Sequence, residues 1–235
     1  MTIRVAMWSG PRNISTAMMR SFGERADTVV VDEPLYAHYL DVTGIDHPGR
    51  DAILASQPRR WQDVAAALTG PLPGDPAVQY QKHMTHHLLP GIGRDWLRGL
   101  THAFLIRDPA HVVASYARVR GEPTLEDLGF PQQAEIFAAY GGPVVDAADV
   151  LRDPAGTLGR LCAALGIAFD PAMLTWAPGP RPADGVWAPF WYDAVNASRG
   201  FAPYDPRPAA VPDRLAHLVE AARPYYAELA GHRLV

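Results

Sequence analysis

Apolar residues fall along this chain in two alternating patterns: short unbroken runs, and longer stretches with helical spacing. Residues 3–8 form a short run, β-rich at its centre, which predicts a buried strand. Ser9-Gly10-Pro11-Arg12-Asn13 then supplies turn-forming residues. Ile14, Ala17, Met18 and Phe22 recur at intervals of three and four, predicting a helix over 14–25. Residues 28–31 predict a second buried strand, ending at Asp32-Glu33-Pro34. Residues 60–69 read as helix, and 77–81 as a strand ending at Lys82-His83. A further apolar strand over 103–106 is closed by Arg107-Asp108-Pro109, where Asp108 can cap and Pro109 can open the next helix. A short strand at 143–145, a helix near 155–165 and a last helix from about Pro212 complete the pattern. Pro224 should kink or break that last helix.

Strands alternating with helices predict an α/β fold with a mostly parallel central sheet flanked by helices on both faces. The expected unit is one domain over residues 1–235, with the second strand beside the first if sheet order follows chain order. In such sheets ligands sit at the carboxyl ends of the strands. Four ends qualify here: 9–13, Asp32-Glu33, Lys82-His83 and Arg107-Asp108. Each carries charged or phosphate-binding residues.

Composition narrows the class of partner. A formal net charge of −4 argues against nucleic acid and polyanionic sugar chains, and leaves a small hydroxylated molecule as the favoured partner. The lone Cys162 cannot form an internal disulfide and reads as a buried apolar residue. The apolar run before Trp8 is too short for a signal peptide or a membrane span, so a cytoplasmic location is expected, with no membrane partner. The stretch Ala-Pro-Gly-Pro-Arg-Pro-Ala-Asp over 177–184 reads as a loop.

Ser9 to Thr16 has the parts of a phosphate cradle. Gly10 would let the backbone approach an anion, and the following helix offers free N–H groups and its positive dipole end. Ser15 and Thr16 add hydroxyls, and Arg12 a guanidinium fork. A tight turn capped by Asn13 or Ser15 is the structural alternative. The loop lacks the G-x4-G-K-[ST] pattern of nucleoside triphosphatases, and no metal is expected.

Read together with Phe104-Leu105-Ile106-Arg107-Asp108-Pro109-Ala110-His111-Val112-Val113-Ala114-Ser115-Tyr116, this loop resembles the two donor-binding motifs of sulfotransferases, with most of the chain following the family pattern. The resemblance implies 3′-phosphoadenosine 5′-phosphosulfate as sulfuryl donor. Its 5′-phosphosulfate would lie on Gly10, Arg12, Asn13, Ile14, Ser15 and Thr16, and its 3′-phosphate on Arg107 and Ser115. Arg199, in a late basic loop, would join the 3′-phosphate. Arg12 departs from the lysine of animal cytosolic members, and Asn13 and Ile14 replace small residues, so the likeness is to a bacterial-type branch.

The resemblance also implies in-line sulfuryl transfer, with Arg12 and Lys82 stabilising charge on the leaving phosphate. Glu33 stands where several branches put a catalytic glutamate, and is expected to act as general base. His83, His86 and His87 are the rivals, and His86 is retained as a catalytic candidate, since imidazole has the better intrinsic pKa near neutrality. The aromatic-rich region of Trp176, Trp187, Phe190, Trp191 and Tyr192 reads mostly as core or lid, with one or two left to line the acceptor pocket or stack on the adenine. Two other readings stay open on sequence alone: a catalytically silent nucleotide-binding relative, and a kinase-like phosphotransferase.

Overall fold

The computed structural model of the chain describes residues 2–120 and 122–235. Five strands form one all-parallel sheet: β1 Ile3–Ser9, β2 Thr28–Asp32, β3 Val78–Met84, β4 Thr101–Ile106 and β5 Val144–Asp146. Their order is β2-β3-β1-β4-β5, so β3 separates β2 from β1, contrary to the order expected from the sequence. The chain steps to one side of β1 for β2 and β3 and to the other for β4 and β5. This reversal at β1 opens a crevice above its carboxyl end.

Period-two alternation fills both faces of the sheet. Val5, Met7, Val78, Tyr80, Ala103 and Leu105 enter one apolar cluster, while Ala6, Trp8, Phe104 and Ile106 enter the other. Because both faces are buried, the strands read as continuous apolar runs. The helices that cover them are α1 Ser15–Gly23, α2 Tyr36–Thr43, α3 Arg50–Ser56, α4 Trp61–Thr69, α5 Pro109–Arg120 and α6 Leu125–Leu128. After these come α7 Phe130–Tyr140, α8 Ala147–Arg152, α9 Pro154–Ala164, α10 Ala188–Trp191, α11 Asp193–Asn196 and α12 Ala216–Ala230. Cys162 lies fully buried in the first cluster, as expected for an apolar role. Among the described residues no helix is long and apolar enough to cross a membrane.

Two elements depart from the sequence expectation for identifiable reasons. β3 runs through Lys82 and His83 to Met84, and all its positions are buried. Two ionisable residues looked like a strand end because their partners lie on distant segments. α12 is not broken at Pro224. Its first half packs Leu218, Val219 and Ala222 on Val112, Val113 and Leu128, and Leu229 joins the sheet cluster beyond the proline. That burial outweighs the roughly 3 kcal/mol cost of an interior proline.

The 177–184 stretch is a loop, as read, but a fastened one. The buried Arg20 guanidinium grips Asp184, with Nη2 to Oδ2 at 2.7 Å, and reaches Asn196 Oδ1 at 3.0 Å. Residues 185–192, which follow, are thereby held over the carboxyl end of the sheet.

Candidate functional site

A cleft of about 1080 Å³ opens above the carboxyl ends of the strands. Its floor is the turn between β1 and α1. Asn13 stitches that turn to the sheet: Nδ2 donates to the Leu105 carbonyl at 3.0 Å, and Oδ1 accepts the Ile14 N–H at 2.8 Å. Neither Asn13 nor Ser15 caps α1, which has no side-chain cap, so its first turn faces the cleft with N–H groups to offer. Asn13, Ile14, Ser15 and Thr16 all line the cleft.

Gly10 does not line it. A Cβ at this position would stand 2.5 Å from the Leu128 carbonyl oxygen. The glycine is therefore required by the close approach of the α6 end rather than by an anion. Gly10→Ala is expected to destabilise the fold by about 1–3 kcal/mol through overpacking, read from the urea midpoint. An unchanged midpoint would contradict this.

Arg12 adopts a left-handed backbone (φ 55°), unusual outside glycine. The conformation is held from two sides. Arg107 Nη1 donates to the Arg12 carbonyl at 2.6 Å, and Arg12 Nε donates to Ser115 Oγ at 3.1 Å. Asp108 accepts the Ala110 N–H at 2.8 Å and so starts the helix that carries Ser115. Arg12, Arg107 and Ser115, eight residues apart in the last pair, are thus brought together on the cleft wall. Burial, then repulsion from Arg118, lowers the Arg12 pKa; burial, then Arg12 and Arg118, lowers that of Arg107. Clustered guanidiniums that destabilise one another in this way fit a phosphate dianion.

Arg118 was not singled out in the sequence, yet it lies three residues beyond Ser115, on the same face of α5, and lines the cleft. Arg152, Arg207 and Arg233 line it too. Arg199 does not: it is exposed, and its carbonyl accepts the Trp176 N–H at 3.1 Å. Its neighbours Ser198, Gly200 and Phe201 reach the cleft instead.

The opposite wall is built by the register of β2 on β3. Asp32 and Lys82 are Cα partners in this parallel pair, so their side chains leave the same face of the sheet. Lys82, 1% exposed, gives all three ammonium N–H groups to oxygen: Asp32 Oδ1 at 2.9 Å, Glu33 Oε1 at 2.5 Å and the Tyr192 hydroxyl at 2.9 Å. Glu33 is the second residue of the site with a left-handed backbone (φ 39°). Its N–H donates to the Lys82 carbonyl at 2.9 Å, and its own carbonyl accepts from Tyr36 N and Gln57 Nε2. Glu33, Lys82 and Tyr192 line the cleft; Asp32 lies behind them.

Burial raises the Glu33 pKa, only partly opposed by Lys82, and Asp32 raises it further. Burial alone would lower that of Lys82, but Asp32 and Glu33 together drive it up, so the lysine stays charged. The environment inverts the intrinsic order for the histidines. Burial pushes His86 down to about 4, and His87 well below its ordinary value. Both line the cleft, but Nδ1 of each has no hydrogen-bond partner to orient the ring. His83 is farther removed. It stacks on Trp8 with ring centroids 4.4 Å apart, meets Gln81 Oε1 at 3.1 Å and does not line the cleft. Among the described residues no group of three or more His, Cys, Asp or Glu is placed to hold a metal ion.

Residues 3–232 match the family described as Sulfotransferase domain. Two Arabidopsis thaliana proteins, branched-chain-amino-acid aminotransferase-like proteins 1 and 2, are 38% and 34% identical over 96% of this chain. The chain spans only 41% of the length of each. Among solved structures, a sulfotransferase from Alicyclobacillus acidocaldarius matches with a TM-score of 0.55 at 14% identity, covering 100% of this chain and 98% of that one. The sulfotransferase domain of the curacin biosynthetic pathway matches with a TM-score of 0.54 at 16% identity, covering 95% and 98%. These likenesses carry the fold.

Proposed function

The chain belongs to the sulfotransferase family, and from that premise we propose that it moves a sulfuryl group from 3′-phosphoadenosine 5′-phosphosulfate to the hydroxyl of a small acceptor. The observation that carries this reading is one cleft with two differently built walls. One wall offers Arg12, Arg107, Ser115 and the start of α1 to phosphates; the other offers Glu33, a carboxylate of raised proton affinity. The donor, when bound, supplies the sulfuryl group, whose bond to the phosphate breaks as a bond to the acceptor oxygen forms.

The chain's own residues have three tasks. Arg107, Ser115 and Arg118 suit the 3′-phosphate, and the 12–16 turn suits the phosphosulfate. Glu33 takes the proton of the acceptor hydroxyl as its oxygen attacks. Lys82, expected from the sequence to stabilise the leaving phosphate, has all three N–H groups engaged by Asp32, Glu33 and Tyr192, and so serves to hold the Glu33 carboxylate at the cleft. A silent nucleotide-binding relative would lack a base at the cleft, whereas Glu33 lines it. An acceptor screen with the phosphosulfate donor, read by release of 3′-phosphoadenosine 5′-phosphate, tests the proposal. Donor binding without turnover on any hydroxyl acceptor would overturn it.

Transfer should proceed without a divalent metal. Between Asp32 and Glu33 the Lys82 ammonium already supplies the positive charge that a cation would bring. The rate is expected to be the same with EDTA as with added magnesium. A rate abolished by the chelator and restored by the metal would contradict this.

A further inference from the structure

Asp32 is 5% exposed and does not line the cleft, yet three groups around the site hang on its carboxylate. Its Oδ1 accepts from Lys82 Nζ at 2.9 Å. Its Oδ2 accepts the Gly185 N–H at 3.2 Å and the Tyr192 hydroxyl at 2.7 Å. That hydroxyl, having spent its one proton on Asp32, accepts from Lys82 at 2.9 Å and from Trp187 Nε1 at 3.1 Å. One carboxylate thus fastens the lysine of β3 and both ends of the 185–192 cover.

We propose that Asp32 is the positioning residue of this site: it fixes the Lys82 ammonium and the cover, and so leaves Glu33 free to exchange a proton with the acceptor. The inference rests on the sulfotransferase reading for its functional half and on geometry for the rest. With Glu33 alone, Lys82 would be locked in a single buried ion pair, and protonating Glu33 would strand a buried ammonium. With Asp32 as the permanent counter-ion, Lys82 stays neutralised whichever state Glu33 is in. Two carboxylates and one ammonium thereby make a site whose net charge alternates between −1 and 0.

The groups that face Glu33 are Asp32 from β2, Lys82 from β3 and Tyr192 from the cover. Tyr36 from α2, with His47, His86 and His87, completes that end of the cleft. Of these, Asp32 is the like charge whose removal should ease ionisation of Glu33. Tyr192 cannot substitute for it, because burial and then Asp32 hold its hydroxyl protonated.

The test is carbon-13 NMR titration of the Glu33 carboxyl in the full chain and in Asp32→Asn, with Glu33→Gln assigning the signal. The midpoint is expected to fall by about one pH unit or more in Asp32→Asn. An unchanged or raised midpoint in a folded variant overturns the proposal. This readout needs no turnover, so it stands even if no acceptor is ever sulfated, and separates failure of this inference from failure of the sulfotransferase reading. If Asp32→Asn does not fold, Tyr192→Phe is measured instead, since it keeps every charge and removes the hydroxyl through which Asp32 holds the Tyr192 end of the cover. A kcat at least about tenfold lower, with both KM values held within about threefold and faster exchange of the Gly185 amide, is then expected. Unaltered kcat and exchange overturn the proposal.

Discussion

Replacing Glu33 with Gln is expected to lower kcat by roughly 10²–10⁴, the range for loss of a general base. The substitution keeps the size of the side chain and an oxygen for Lys82, which meets Glu33 Oε1 at 2.5 Å, but removes the lone pair that takes the proton. Affinity for 3′-phosphoadenosine 5′-phosphate should change little, because the residues proposed to hold its phosphates, Arg12, Arg107 and Ser115, are other than Glu33. The wild-type rate should fall as pH drops through the Glu33 pKa. Burial raises that value, so the acidic limb should lie above the usual carboxylate range, and it should vanish in Glu33→Gln. His86→Gln is the control. An imidazole pushed down to about 4 is no stronger a base than a carboxylate, so its loss should cost kcat less than about tenfold. Steady-state kinetics of the two variants decides: an inactive His86→Gln beside a mild Glu33→Gln would reverse the roles.

Arg107→Ala should weaken binding of 3′-phosphoadenosine 5′-phosphate about ten- to a hundredfold, and that of adenosine 5′-phosphate far less. A charge-assisted hydrogen bond to phosphate contributes on the order of 1.5–3 kcal/mol. Comparing the two ligands matters because Arg107 has a second task, gripping the Arg12 carbonyl at 2.6 Å. Losing that grip would relax the left-handed turn and weaken both ligands alike. Only the difference between them reports the 3′-phosphate contact. Calorimetry at fixed ionic strength supplies it, and equal losses would remove Arg107 from the 3′-phosphate site.

The sequence carried the chemistry that sits at strand ends and little of what supports it. The cleft position of the 12–16 turn, Glu33, Arg107 and Ser115 is legible because each follows an apolar run at short range, and the fold class alone brings it to the carboxyl edge of the sheet. Arg118 follows Ser115 at helical spacing, but nothing in the local sequence sets it apart from an ordinary surface arginine. Tyr192 could not be placed, since its bond to Asp32 joins residues 160 positions apart. Gly10 looked like part of an anion site until the Leu128 carbonyl was found where its side chain would be. Histidine looked like the better base because its intrinsic pKa is near neutral, but burial at this end of the cleft sets the opposite order. Arg199 was assigned by position in a loop, and loop position does not fix where a side chain points.

The pairing of β2 on β3 gives the chain an internal proof of correct folding. Successive side chains of a strand leave opposite faces, so sliding β2 by one residue would send Asp32 away from Lys82, while Val30 and Val31 would merely exchange places. Parallel strands joined by long crossovers assemble slowly and have time to mispair. A misaligned sheet could still be compact and rich in helix, and circular dichroism would hardly tell it from the native one. It could not place both Asp32 and Glu33 on that buried ammonium. Regain of activity on refolding should therefore lag behind regain of helix, and the interval between them would time the moment at which the strands find their alignment.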